Sequence, residues 1–405
     1  MKGIDLSRKQ ELDKILVAVV KSLDITRTQF ENLSQSYNAV GKYLESDPIF
    51  EPYHPIVTPQ GSLRLGTIIQ PVNDGDDLDV DLVYRLLGKS TNWTQSDIKR
   101  LVGKRLKEHG IYREMLDNEG RRCWTLLYRQ ESNNAKEHYH MDILPCVADK
   151  EHNNTLRSVL TANYSPENVK RVAICITDKK SADYFTSTDT NTWLKSNPDG
   201  YAIWFASRCK NTTEIRENIL NAIMPIGQDV EDKTILQRIV QLLKRHRDIM
   251  FGDDDEKPIS IIITTLAGRA YNGETCLFDG LCNIIDNMEL YIHLEGGTYV
   301  VNNPVNPKEN FADKWAECPK KKEKFFAWLS NLKMLKDNLI HLKGLQLRET
   351  LSVAFGKRPV QNVFDELTTR HKEDASTGKL RVASTGMLGV VGTTLNASNT
   401  FFGEE

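Results

Sequence analysis

Two aspartates two residues apart, Asp79 and Asp81, stand in the run Leu78-Asp-Val-Asp-Leu-Val83. On a β-strand, alternate side chains share a face, so both carboxylates point the same way. Left alone they repel, and each favours a proton on the other. A divalent cation removes that cost, and carboxylate oxygens are the ligands Mg²⁺ takes. Upstream lies Gln60-Gly61-Ser62. Gly61 allows close backbone approach, and the Ser62 hydroxyl with neighbouring N–H groups suits a triphosphate. Gln60 stands where it would add a nucleotide contact. The stretch from Gly61 to Tyr84 therefore reads as a site for nucleotide phosphate and Mg²⁺.

A Ca²⁺ loop is the competing reading of so many aspartates. An EF-hand needs Gly at position 6 and Glu at position 12 of its loop. Counted from Asp77, those positions hold Leu82 and Gly88. Asp74, Asp76 and Asp77 flank Gly75 and read as loop carboxylates. A two-metal site usually has a third carboxylate. Asp142, in Tyr139-His-Met-Asp-Ile-Leu144, is the candidate, because an unpaired Asp in so apolar a segment is costly. It joins Asp79 and Asp81 if the two strands are neighbours; otherwise it pairs with a nearby Arg or His.

Helical spacing precedes these strands. Leu12, Ile15, Leu16, Val19, Val20 and Leu23 mark one helix, with a capping box at Ser7 to Gln10. Phe30, Leu33, Tyr37, Val40 and Leu44 mark a second, with a break near Asp24. After the Asp strand come a helix over Ser96 to His109 and strands at Ile111–Leu116, Arg122–Arg129, His138–Val147 and Val172–Thr177. Trp193–Tyr201 is turn-rich, and Ile203–Cys209 closes this half. Helical patterns follow at Ile215–Met224, Lys233–Met250, Ile259–Tyr271, Glu323–Ile340 and Gln361–Arg370. From His371 onward Ser, Thr, Gly and Asn accumulate, which reads as a flexible tail. The fold class is α+β with a mixed or antiparallel sheet and a helical second half. No G-x-G-x-x-G or Walker A motif is present.

Composition narrows the function. The chain has 405 residues, 40% hydrophobic and 27% charged, which suits a globular protein. A net charge of -2 argues against a protein that coats long nucleic acid. Seven scattered cysteines with no C-x-x-C pair point to reduced thiols and a cytoplasmic setting. The start, MKGIDLSRKQ, lacks the apolar core of a signal peptide. Ile259–Ala267 is too short to span a membrane.

Four stretches carry a resemblance: Pro59–Thr67; Leu78–Val83; Leu236–Asp248 with Lys257-Pro-Ile-Ser260; and Asn303–Trp315. Together with Asp142 they resemble the polymerase-β-like nucleotidyltransferase superfamily. Within it, the chain is most similar to the bacterial cGAS/DncV-like nucleotidyltransferases (CD-NTases) of anti-phage CBASS systems. The likeness spans nearly the whole chain. It implies a helical spine (1–45), a nucleotidyltransferase core with a mixed sheet (46–210), a helical domain closing the nucleotide cleft (211–370) and the tail (371–405).

The resemblance implies that Asp79, Asp81 and Asp142 hold two Mg²⁺ ions, with Mn²⁺ as a substitute. Gln60, Gly61 and Ser62 bind nucleotide. Lys244 and Ser260 match positions that contact the donor triphosphate; on spacing alone, Lys244 is a snorkelling side chain. Arg64 reaches nucleotide or pairs with an acid. Asn303 and Asn306 reach the acceptor or form turns. Lys320–Lys324 reads as a solvated helix start, and His138 and His140 lack metal spacing. The zinc insertion of the animal cyclic GMP–AMP synthase is absent.

The implied activity joins NTPs, ATP among them, into a cyclic di- or trinucleotide second messenger and releases pyrophosphate. A downstream effector would read the product in anti-phage signalling. The alternatives are a linear oligonucleotide or tRNA-type synthetase of the same fold, and an idle nucleotide-binding regulator. A ubiquitin-ligase-like partner acting on the C-terminus, Thr400–Glu405, is a further expectation. Long nucleic acid and membranes are not expected partners.

Overall fold

The structure, a computed structural model, describes residues 5–73, 76–129, 138–148, 174–209, 233–377, 379, 381–382, 388–389 and 394–395. Two helices come first, α1 (Leu6–Lys21) and α2 (Arg27–Glu45). Helix α1 starts after Asp5, so Ser7 lies inside it and the expected capping box there does not form. The capping box belongs to α2, where Thr26 and Gln29 bond reciprocally.

Next come β1 (Ile56–Gln60), the four-residue α3 (Gly61–Arg64) and β2 (Leu78–Leu86). Then follow α4 (Gln95–Glu108), α5 (Gly110–Met115), β3 (Trp124–Tyr128), β4 (Tyr139–Ala148), β5 (Ile174–Ile176) and β6 (Leu194–Ser196). The expected strand at Ile111–Leu116 is therefore mostly the short helix α5. His109 caps it by accepting from Tyr112 N–H, and Tyr112 stacks on the His109 ring. Six residues are too few for periodicity to separate the two forms.

The six strands form one mixed sheet in the order β1-β2-β4-β5-β6, with β3 also on β4. Only β2 and β4 run parallel. The turn-rich stretch after β6 becomes α6 (Pro198–Arg208), which Asn197 caps by accepting from Gly200 N–H.

The helical half holds α7 (Ile235–Phe251), α8 (Ser260–Ala270) and α9 (Leu277–Asn287). Two small hairpins follow, β7 (His293–Glu295) with β8 (Thr298–Val300), and β9 (Asn302–Asn303) with β10 (Asn306–Asn310). Helices α10 (Lys314–Glu317), α11 (Pro319–His341), α12 (Gly344–Phe355) and α13 (Lys357–Ser376) complete it. Beyond Arg370, where the tail was expected, α13 runs on to Ser376. Short strands β11 (Arg381–Val382), β12 (Leu388–Gly389) and β13 (Thr394–Leu395) then pair as a small sheet. The expected helix at Ile215–Met224 lies outside the described residues.

Two large apolar cores result among the described residues, with a small third cluster of Val83, Cys146, Ile174 and Ile176 on the sheet. One lies on the sheet and takes Leu33, Tyr37, Val40 and Leu44 from α2. The other lies in the helical half and takes Leu12, Leu16 and Val19 from α1. The N-terminal helices thus divide between the cores at the Asp24 break. Burial works to raise the Asp24 carboxyl, but bonds from Lys233, Arg238 and Gln241 win and hold it below the usual range. No helix among the described residues is long and apolar enough to cross a membrane.

Candidate active site

The register of the sheet assembles the carboxylates. Asp81 on β2 is paired with Asp142 on β4, and Asp79 with His140. In a parallel pair, partners in register share a face, so Asp79, Asp81, His140 and Asp142 share one. Strand β1 ends with Gln60 opposite Asp81, and the chain turns at once into α3. Gly61 therefore abuts Asp81. Its φ is +62°, and a Cβ built there would sit 2.1 Å from Asp81 Oδ2. Among the described residues the Ser62 hydroxyl has no protein partner, and the first-turn amides of α3 lack intrahelical acceptors.

The electrostatics follow from this crowding. The Asp81 carboxyl is pushed up to about 6, first by burial, then by Asp142 and Asp79. Asp79 opens onto the cleft with its side chain 85% exposed. The surrounding protein nevertheless thins its water and raises its carboxyl, as do Asp142 and Asp77, against the pull of His140 and Lys244. Asp142 accepts from the Thr125 hydroxyl of β3. Burial first, then Asp142, pushes the adjacent Cys123 thiol up to about 11.

Three hard oxygen donors on one face, two of them raised by burial and then by neighbouring carboxylates, fit Mg²⁺ in donor chemistry. Among the described residues, no group of three or more His, Cys, Asp or Glu side chains stands in metal-holding geometry. The Asp142 carboxylate is instead engaged by Thr125.

Helix α7 brings the opposite wall. Its Thr234–Gln237 capping box starts it, and Leu236, Ile239, Val240 and Leu243 bury one face. A polar stripe beside that face is bonded to the backbone that follows α3. Gln237 donates to Leu65 O (2.9 Å), Gln241 to Ile68 O (2.8 Å), Lys244 to Thr67 O (3.0 Å) and Arg245 to Gln70 O (2.6 Å). These bonds hold α7 against the Gly-Ser turn. Lys244 is buried, and its ammonium is pushed down to about 8, first by burial and then by Arg247. Asp248, Asp79 and Asp81 pull the other way, which places Lys244 within the field of the β2 carboxylates. Ser260 opens α8 and accepts from Arg247.

Other sequence candidates resolve differently. Arg64 takes the acid-pairing alternative, in a buried network with Asp199 (3.1 Å) and Arg85 (2.6 Å from Asp199). Asn303 is a turn former, accepting from Val305 N–H and donating to the half-buried Glu309. Asn306 is equally buried. Lys320 is exposed, but Lys321 and Lys324 bond Asp255 O, Asp254 and Glu256, pinning the loop that leads to Ser260. Asp76 accepts from Asn73, as a loop carboxylate does. Asp77 does more: His140 Nε2 lies 2.6 Å from its Oδ2, so it reaches the carboxylate face. Asp74 lies outside the described residues.

Sequence reasoning missed Gln237, Gln241 and Arg245, whose i, i+4 spacing marks a helix stripe. It also missed Arg247, one turn beyond Lys244.

A family model described as the Second Messenger Oligonucleotide or Dinucleotide Synthetase domain matches residues 11–165, the part that holds Gly61, Ser62 and the three aspartates. A "c-di-GMP synthase" from Roseivirga ehrenbergii is 29% identical over 395 residues, covering 95% of this chain and 94% of that protein. Among solved structures, the Bradyrhizobium diazoefficiens CD-NTase CdnG in complex with GTP superposes with a TM-score of 0.62 at 19% identity. That match covers 88% of this chain and 99% of CdnG. The Vibrio cholerae dinucleotide cyclase DncV, with GTP, gives 0.51 at 17% identity, over 87% and 88% of the two chains. Escherichia coli CdnC, in a complex with HORMA-deltaN, gives 0.56 at 12% identity, over 85% and 96%. The solved structures share the fold, a polymerase-β-like core with a helical C-terminal region. With the matched synthetase domain in residues 11–165 and the relative aligned over nearly the whole chain, they make this chain similar to the bacterial CD-NTases, nucleotidyltransferases of the cyclic oligonucleotide synthase type.

Proposed function

We propose that this chain joins two NTPs into a cyclic dinucleotide in a Mg²⁺-dependent reaction that releases pyrophosphate. The observation that carries this reading is the in-register pairing of Asp81 with Asp142 beside Asp79, directly against Gly61. The name of the Roseivirga relative, and GTP in CdnG and DncV, support GTP as the first substrate to test. Asp79, Asp81 and Asp142 would hold Mg²⁺, which supplies charge neutralisation and a lowered hydroxyl pKa when bound. Gln60, Gly61 and Ser62 bind the phosphates from below. Lys244 and Ser260 bind the donor triphosphate from the helical wall, with Lys244 as point charge and Ser260 as hydrogen-bond donor. Repetition in the same cleft closes the ring.

The test is product analysis. Protein with Mg²⁺ and mixed NTPs should release pyrophosphate and a phosphatase-resistant product with the mass of a cyclic dinucleotide. A phosphatase-sensitive ladder would replace this reading with a linear synthetase. Binding without turnover would leave an idle nucleotide-binding regulator.

The role of Lys244 makes a second prediction. Lys244→Met should raise KM for NTP by about 10–100-fold, the loss of a charge-assisted contact. The wild type should also weaken as pH rises through about 8, where the buried ammonium loses its proton. Below that pH it is charged and binding is complete. The Met variant should lack this alkaline limb in a KM–pH series; a limb unchanged in the variant removes Lys244 from the phosphate site.

We further propose that the product serves anti-phage signalling through an effector that reads it. The CdnC structure with HORMA-deltaN supports a protein partner. The proposed conjugation at Thr400–Glu405 concerns residues outside those described.

A further inference from the structure

We propose that Arg247 is the positioning residue of the donor-phosphate pocket, acting through Ser260 by directing its hydroxyl hydrogen into the cleft. Arg247 lies on α7 one turn beyond Lys244, and it is buried. Its Nη1 donates to Ser260 Oγ at 2.8 Å and to Pro258 O at 3.1 Å. Its Nε and Nη2 both reach Asp248 Oδ1, at 2.8 and 2.7 Å. The guanidinium is thereby locked from its own helix and from the segment that enters α8.

The consequence concerns the direction of one proton. A hydroxyl that accepts from a guanidinium keeps its own hydrogen for another acceptor. Near a helix end, a serine commonly spends that hydrogen on a local carbonyl. Arg247 already donates to the Pro258 carbonyl, which leaves that oxygen one lone pair. Lys244 and Arg247, the cations beside the pocket, accept nothing. An anion in the cleft is the strongest acceptor that hydrogen can meet, because a charged acceptor binds it more strongly than a neutral carbonyl and an α8 N-terminus favours negative charge there. Arg247 also adds to the positive field that lowers the proton affinity of Lys244, which places it beside that residue.

This inference rests on the donor-phosphate reading of Lys244 and Ser260. It is tested by steady-state kinetics on the full chain with GTP and Mg²⁺, through a double-mutant cycle. Ser260→Ala and Arg247→Gln should each raise KM by about 10-fold while kcat moves less. If Arg247 acts through Ser260, the double variant should be no worse than Arg247→Gln alone. Arg247→Lys keeps one donor to Oγ and should recover part of the lost affinity. It also serves as the test if the Gln variant does not fold.

Additive losses in the double variant would overturn the proposal, because an independent or purely structural Arg247 multiplies the Ser260 effect. A Lys variant as impaired as Gln would also overturn it. Ser260→Ala with unchanged KM would instead remove Ser260 from the donor site, a failure of the underlying reading that this cycle separates from the first.

Discussion

Asp81→Asn abolishes product formation, by about 10³-fold or more, while raising the melting temperature of the Mg²⁺-free protein. Both effects have one cause. Burial, and then Asp142 and Asp79 beside it, raise the Asp81 carboxyl to about 6 in the folded chain. An acid raised on folding binds more protons folded than unfolded, so stability falls as pH rises through that range. The cost is absent below the unfolded pKa of about 4 and complete above about 6. After allowance for partial exposure and screening, it is on the order of 1–2 kcal/mol. The amide keeps the shape and removes the charge. The gain in melting temperature should be clear at about pH 8 and shrink towards about pH 4. Mg²⁺ should stabilise the wild type more than the variant, because ligand binding to the folded state adds stability. Thermal melts across pH, with and without Mg²⁺, and pyrophosphate release check all parts. A variant with wild-type turnover would remove Asp81 from the metal site.

Gly61→Ala should lower kcat/KM by about 10²-fold, although no charged residue is replaced. The added methyl would meet Asp81 Oδ2 at 2.1 Å and Cγ at 3.1 Å. Either Asp81 swings away or the β1–α3 turn opens, and each displaces a group that needs sub-ångström placement. The positive φ of +62° adds backbone strain, on the order of 1 kcal/mol. Gly66→Ala separates the two effects. Its φ is +66°, but its Cβ would meet Gln237 Nε2 at 2.5 Å, the far end of a flexible side chain. It should lose similar stability and far less activity. Equal losses of activity in the two variants would show that backbone strain, and not the carboxylate, is at issue.

Much of this was legible in the chain. The alternation around Asp79 and Asp81 marks a strand because period two needs no partner to be seen. The capping residues and apolar stripe mark the helix of Lys244 for the same reason. Where local pattern and tertiary contact competed, contact won. Ile111–Leu116 carries a strand-compatible run, yet the packing of Tyr112 against Tyr43 and its stacking on His109 anchor a helix there. The two N-terminal helices read as one spine, yet they serve different cores. Asp77 reads as a loop residue, yet it closes on His140 from a strand far along the chain.

By itself, the sequence determined which chemistry is available: carboxylates on one strand face, a glycine turn that allows close backbone approach, and a lysine at the edge of a helix stripe. These are local properties, set by side-chain type and backbone period. The tertiary structure decided which of them meet. Only the parallel register of β2 and β4 sets Asp142 beside Asp81, since a slip of one residue would turn its carboxylate to the other face. Only the bonds from Gln237, Gln241, Lys244 and Arg245 to the backbone after Gly61 bring the helical wall over the carboxylates. Those pairings join residues more than 170 positions apart, and no local period encodes a contact of that span.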